Sequence, residues 1–451
     1  MDAADLDHRT RTQSGCIPPL LVSRLLERGH EREVEAQAGR GEWFCALEWA
    51  RMLDRRGERG KALEVLAPYV ATSWWPATRA RAELLEEWGR GEEAIALCRP
   101  FAETGDRLVL EHFARLLARH GRGGEAFTLL RPGIGDWFLA ECLVEVCATA
   151  GRDEEAAELL EARIEAAVPA CDDPDCHRLR MEPSNAFALL AAVRERQGRI
   201  EEAIALLRRQ KATSVNGRDA LADLLARHDR IEELRVYAAS DQYGHATQCL
   251  AEVLEERGDA DGAVDAYREF AAASDGLWHV AVPLARLLVR HGRAGEAIEV
   301  MRRLADSPGG AEDWIVGTLC TLYADHGRAH DALAYLDALR ARRGGEEEWE
   351  FFGPRLALMA GLGLVDEALE LARAHPEGST WYAAWSVSEI LAEAGRTAEA
   401  VAVLERDAAA AGARLAGYLI DLGRVQDAVQ ILQRPPVPAA PTPAYCEEPP
   451  F

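Results

Sequence analysis

The chain has 451 residues, 48% of them hydrophobic, and sets 52 basic against 76 acidic side chains for a formal net charge of −24. Such an excess of negative charge repels phosphate backbones and anionic lipid, so neither nucleic acid nor membrane is the expected partner. There is no apolar run of membrane-spanning length and no basic-then-apolar N-terminal segment, which points to a cytoplasmic protein.

Alanine, leucine, glutamate and arginine dominate from about residue 20 to residue 433, and β-branched residues are sparse, so helices should supply nearly all of the core. Lysine occurs only at Lys61 and Lys211 and asparagine only at Asn185 and Asn216, a bias of the kind a GC-rich bacterial genome produces. Several of the ten cysteines, Cys142, Cys147, Cys249 and Cys320 among them, stand at apolar helix positions, where a reduced thiol serves as a small hydrophobe.

In chain order, residues 1–18 are polar and aperiodic and read as a flexible leader. Helical pattern begins near Leu20, and a degenerate first unit turns at Gly29. Twelve turn positions follow: Gly57, Gly89, Gly121, Gly151, Gly198, Asp229, Gly258, Gly292, Gly327, Gly363, Gly395 and Gly423. They recur at roughly 28–36 residues, with one wider interval after Gly151.

Most turns are preceded by a large-small apolar pair eight and seven positions earlier, as in Leu221-Ala222 and Leu284-Ala285, and by an apolar residue four earlier, as in Leu117 and Leu288. That spacing makes one apolar helix face. The glycine supplies the left-handed conformation that stops the helix. Five positions after the turn alanine recurs (Ala94, Ala126, Ala203, Ala297), where a second helix must approach closely. An acid four positions after it (Glu93, Glu125, Glu202, Glu296) suits the N-terminal end of that second helix.

This unit resembles the tetratricopeptide repeat (TPR), and the resemblance covers about residues 20–433. It implies an all-α fold, a right-handed α-α superhelix (an elongated solenoid) of about 12–13 TPR-like helix-turn-helix repeats. The array is expected over residues 19–433, with a loop inserted at about 168–184 and a proline-rich disordered tail at 434–451. The sequence departs from the family in variable unit length, in few prolines between units, and in tryptophans placed early, as at Trp43, Trp137, Trp278 and Trp381, which read as plugs between units.

No P-loop, His-Glu-x-x-His or Gly-x-Ser-x-Gly motif is present. Gly89-Arg-Gly91-Glu-Glu-Ala94 copies a dinucleotide pattern but joins two helices, so it cannot form the phosphate cradle that follows a strand. No enzyme activity and no cofactor are expected. Cys171, Cys176 and His177 in the inserted loop are a candidate zinc set of three ligands, or a redox pair, against the plainer reading of a polar loop. Either chemistry would make the chain a metal- or redox-responsive regulator.

His120, His228, His291 and His326 each precede a turn residue and read as helix C-caps. The resemblance implies that first helices line a groove for another protein or peptide, with groove positions six and two before each turn. There stand Arg115 and Arg119, Glu252 and Glu256, then Arg286 and Arg290, alternating in sign between repeats. They read as an inter-repeat salt-bridge ladder or as a partner-reading surface. Trp74 and Trp75 cannot both face one core, so one of them is a candidate exposed anchor. The expected function is a non-enzymatic interaction scaffold.

Overall fold

In a computed structural model of the chain, the described residues are all except 1, 14, 166–182, 210–218, 242, 274–278, 309–311, 346, 408–411 and 435–451. Among them are twenty-seven α-helices, two short 3-10 turns and no β-strand. One N-terminal helix, Ala3–Thr12, is followed by thirteen helix pairs, from Pro19–Glu27 with Glu31–Gly39 to Gly412–Asp421 with Val425–Leu432. The all-α helical-repeat fold legible in the sequence is the one observed.

The repeat arises from local chemistry at each turn. All twelve turn positions have positive φ, from 61° at Asp229 to 83° at Gly258. At Gly121 the Arg122 amide donates to the Leu117 carbonyl at 2.9 Å and the Gly121 amide to the Ala118 carbonyl at 3.1 Å, closing a Schellman motif. Asp229 adopts the same conformation without being glycine, which aspartate tolerates better than most residues. The alanine five positions on is fully buried in repeat after repeat (Ala94, Ala126, Ala203, Ala297, Ala400). Leu234 takes that place after Asp229 and is also fully buried.

The chain forms two compact units, Leu85–His326 and Met1–Leu84 together with Gly327–Phe451. Within Leu85–His326, successive pairs stack through small residues. A Cβ on Gly91 would lie 2.1 Å from the His120 ring, and one on Gly123 would lie 2.5 Å from the Ala150 Cβ. Here glycine is needed for close approach, because the next repeat's last helical turn settles onto the start of this second helix.

Within the other unit, the first and last pairs are neighbours. Helix Pro19–Glu27 packs against helix Gly412–Asp421, with Arg24 and Arg28 both bonded to Asp421. The distribution of apolar faces shows which surfaces must be covered, but not that residues some 400 positions apart cover each other.

The leader expected at 1–18 also differs. Helix Ala3–Thr12 is capped by the Asp2 carboxylate and buries Leu6, while Cys16 and Ile17 are buried just after it. One apolar residue in a polar decapeptide is too little signal for a periodicity argument. Helix Pro183–Arg196 begins inside the interval expected for the inserted loop. The rest of that loop, with Cys171, Cys176 and His177, lies outside the described residues, as do Trp278 and the tail from residue 435.

Candidate interaction surface

The charged groups chosen from sequence divide into those that join repeats and those left open. In Leu85–His326, Arg115 donates from Nε to Glu145 at 2.9 Å and also reaches Glu111 on its own helix at 3.4 Å. This is the expected pairing of equivalent positions in successive repeats. Arg119 instead makes a bidentate contact with Glu86 at 2.7 and 2.8 Å, and His120 Nε2 lies 3.2 Å from the same carboxylate.

The same three-residue clasp recurs twice. Arg227 and His228 hold Glu195, with His228 Nε2 at 2.8 Å, and Arg290 and His291 hold Glu255, also with the imidazole at 2.8 Å. In each case the acid stands three positions before one turn, and the arginine and histidine stand two and one before the next. The arginine hydrogen bond, aided by the imidazole, holds all three carboxyl groups below the usual range. The histidines read as caps of their own helices are therefore also inter-repeat contacts. His326 makes no such contact among the described residues, and residue 289, where its acid would stand, is valine.

Three candidates are not consumed. Glu252 and Glu256 are exposed on helix His245–Glu256, and Arg286 is exposed on helix Ala281–Arg290. Among the described residues none of the three has an ion pair, and Glu252 accepts only the Gln248 side-chain amide at 2.9 Å. Glu252, Arg286 and Arg290 line one cavity of about 150 Å³, floored by Tyr267. Tyr267 is 3% exposed, and its hydroxyl has no hydrogen bond among the described residues. Burial raises its pKa, so it stays protonated as a donor facing this cavity.

The tryptophans change places relative to the sequence reading. Trp74, offered with Trp75 as an anchor, is buried against Trp43, with ring centroids 4.9 Å apart at 79°. Trp75 is half-buried at the first position of helix Trp75–Glu87. Trp43 is a plug as expected. Trp381, also expected as a plug, is 53% exposed.

Trp385, which the sequence reading passed over, is 38% exposed on the same helix, Trp381–Glu393, with its ring centroid 6.0 Å from that of Trp381. The Arg414 guanidinium lies 4.4 Å over the Trp385 ring, and Tyr382 meets the edge of Trp381 at 5.5 Å. The available signal was the spacing Trp381-x-x-x-Trp385, which puts two indoles on one helix face.

The described cysteines are free, and burial pushes the Cys142 and Cys147 thiols up to about 12, as suits small hydrophobes and not reactive thiolates. Among the described residues no three His, Cys, Asp or Glu side chains are arranged to hold a metal ion. No described helix is long and apolar enough to cross a membrane.

No family model and no curated protein matches the sequence. Among solved structures, the chain is similar to one in the Naa15/Naa10 complex bound to HypK-THB, at 13% identity and a TM-score of 0.28. The likeness covers 86% of this chain and spans about 62% of the length of that one.

Proposed function

We propose that the chain is a non-enzymatic interaction scaffold that binds another protein or peptide through the exposed tryptophan pair. The observation that carries this reading is the Trp381–Trp385 face, two indoles left open to solvent and flanked by an arginine on one of them. Tryptophan and arginine are the residues over-represented at binding hot spots, because a large rigid ring gains much apolar contact for little lost rotamer entropy. Exposing two such rings side by side is unfavourable in the free chain, and a partner that covers them removes that penalty. The net charge of −24 argues against nucleic acid in the same role.

Selection of a displayed peptide library on the purified chain tests the reading. Enriched peptides should bind at least tenfold more weakly to the Trp381→Ala and Trp385→Ala variants, whose far-UV circular dichroism stays unchanged. Failure of any peptide to enrich, or equal binding to both variants, would refute it.

A further inference from the structure

We propose that the contact between the first and last helix pairs is a separable interface, and that each end can pair with the complementary end of a second copy of this chain. The contact imitates one step of the repeat. Helix Pro19–Glu27 lies beside helix Gly412–Asp421 as one first helix lies beside the next, and the second helices meet through Gln426 to Glu33 at 2.7 Å and Gln433 to Gln37 at 2.8 Å. Gly417 lets the backbones close in: a Cβ there would sit 3.1 Å from an Arg24 guanidinium nitrogen and 3.5 Å from Leu21 Cδ2. The two ends are therefore shaped as each other's next repeat, and the same faces on another copy offer the same fit.

Two features bear on whether this step can open. Its ionic part rests on one carboxylate: Asp421 accepts from Arg24 Nε at 2.9 Å and from Arg28 Nε at 3.0 Å. The arginine side chains are 37% and 55% exposed and that of Asp421 is 15% exposed, so salt screens the attraction in part. In addition, the arginine-to-acid link found at some interior steps is missing here, as it is where Glu58, Asp259 and Leu364 follow their turns. Where an arginine follows most turns in the array, here His30 follows Gly29, and Gln426 stands where an acid would receive that arginine. The turns at Gly29 and Gly423 instead border a cavity of about 720 Å³.

The ends differ in sign, cationic at Arg24 and Arg28 and anionic at Asp421, so pairing between copies is heterologous: the first pair of one chain meets the last pair of another. Within one chain the high effective concentration favours the internal contact. Opening it frees both faces for exchange.

Charge reversal on opposite ends tests this. One variant carries Arg24→Glu and Arg28→Glu, the other Asp421→Arg. Each alone opposes like charges across its own junction, whereas mixing restores opposite charges at both junctions between the two chains. Sedimentation and light scattering should show each variant at the 49.5 kDa of the chain. An equimolar mixture should form 1:1 assemblies of twice that mass or more, at least tenfold tighter than either variant with itself. A mixture that stays at the mass of one chain overturns the proposal.

Should either variant lose helicity, the wild-type chain decides. Its dimer fraction in about 0.5 M salt should rise with protein concentration, and a constant single-chain mass there overturns the proposal. Neither readout uses the Trp381–Trp385 face, so the scaffold reading stands or falls separately.

Discussion

Glu42 is the residue whose ionisation most clearly opposes the fold. It precedes helix Trp43–Arg55, is 3% exposed, and has one carboxylate oxygen 3.3 Å from the Arg9 guanidinium. Its other oxygen is buried without a hydrogen-bond partner. Burial pushes its pKa up to about 7, against the pull of Arg9 and of the Ile17 and Phe44 backbone amides. Since the folded pKa lies above the ordinary 4.5, the folded chain holds this proton more tightly than the unfolded chain does.

The resulting stability is fully present below about pH 4.5 and is lost as pH rises through about 7. A displacement of that size corresponds to about 3 kcal/mol. Glu42→Gln keeps the shape and removes the ionisation, so it should abolish this dependence and stabilise the region by roughly 2–3 kcal/mol at pH 8. At pH 5 it should match the wild type within about 1 kcal/mol.

A repeat array opens in parts, so the assay must be local. Hydrogen exchange of amides in helix Trp43–Arg55, corrected for intrinsic rates, gives the opening free energy at each pH. If wild type and Glu42→Gln show parallel pH dependence, Glu42 is not the titrating group and the burial argument fails.

Three further substitutions probe the array itself. Glu195→Gln weakens the Arg227–His228 clasp and should cost about 1 kcal/mol at neutral pH by chemical denaturation, a modest figure because Arg227 is half-exposed. The Glu195 pKa is held low, so its contribution is present above the ordinary carboxylate range and lost as pH falls through the depressed value, and the two proteins should converge in acid. Ala297→Leu forces bulk where two helices touch at a fully buried position and should destabilise by about 1–3 kcal/mol, read as a lower denaturant midpoint. Leu117→Ala empties a fully buried site and should cost about 2–5 kcal/mol in the same assay; a loss below 1 kcal/mol would show that the site collapses around the gap.

What sequence could show was what each unit needs from itself. The left-handed residue at the turn, the alanine that admits a second helix and the leucine four before the turn are local demands, repeated often enough to read, and they fixed helix positions through both units. The contacts that depend on a neighbour were less legible. Trp381 and Trp43 hold similar places relative to their turns, yet Trp43 is covered by Tyr69 and Trp74 while Trp381 stands open. Whether a ring is a plug depends on what the next loop brings, and periodicity is silent on that. The groove charges show the same limit: Arg115 meets the equivalent position of the next repeat, as alternation suggested, but Arg119 and Arg290 turn to acids one residue aside from the row considered.

The acids four positions after most turns have a sufficient explanation that is still incomplete. The helix dipole alone would favour them. In the structure the arginine directly after the turn grips them as well, Arg122 to Glu125 at 2.7 Å and Arg396 to Glu399 at 2.7 Å. The same arginine reaches back to an acid three positions after the preceding turn: Arg293 to Asp261 at 2.8 Å and Arg396 to Asp366 at 2.6 Å. One guanidinium thus fixes its own helix start and the spacing to the repeat before it, which its planar fork allows and a lysine ammonium would do less well. This gives the arginine bias a physical use. These exposed pairs are individually weak, so their role is to set register between repeats whose apolar faces are nearly interchangeable, and the bulk of the stability comes from those faces. Where the last pair meets the first, that arginine is absent, and register rests instead on Arg24 and Arg28 at Asp421 and on Gln426 and Gln433 at Glu33 and Gln37.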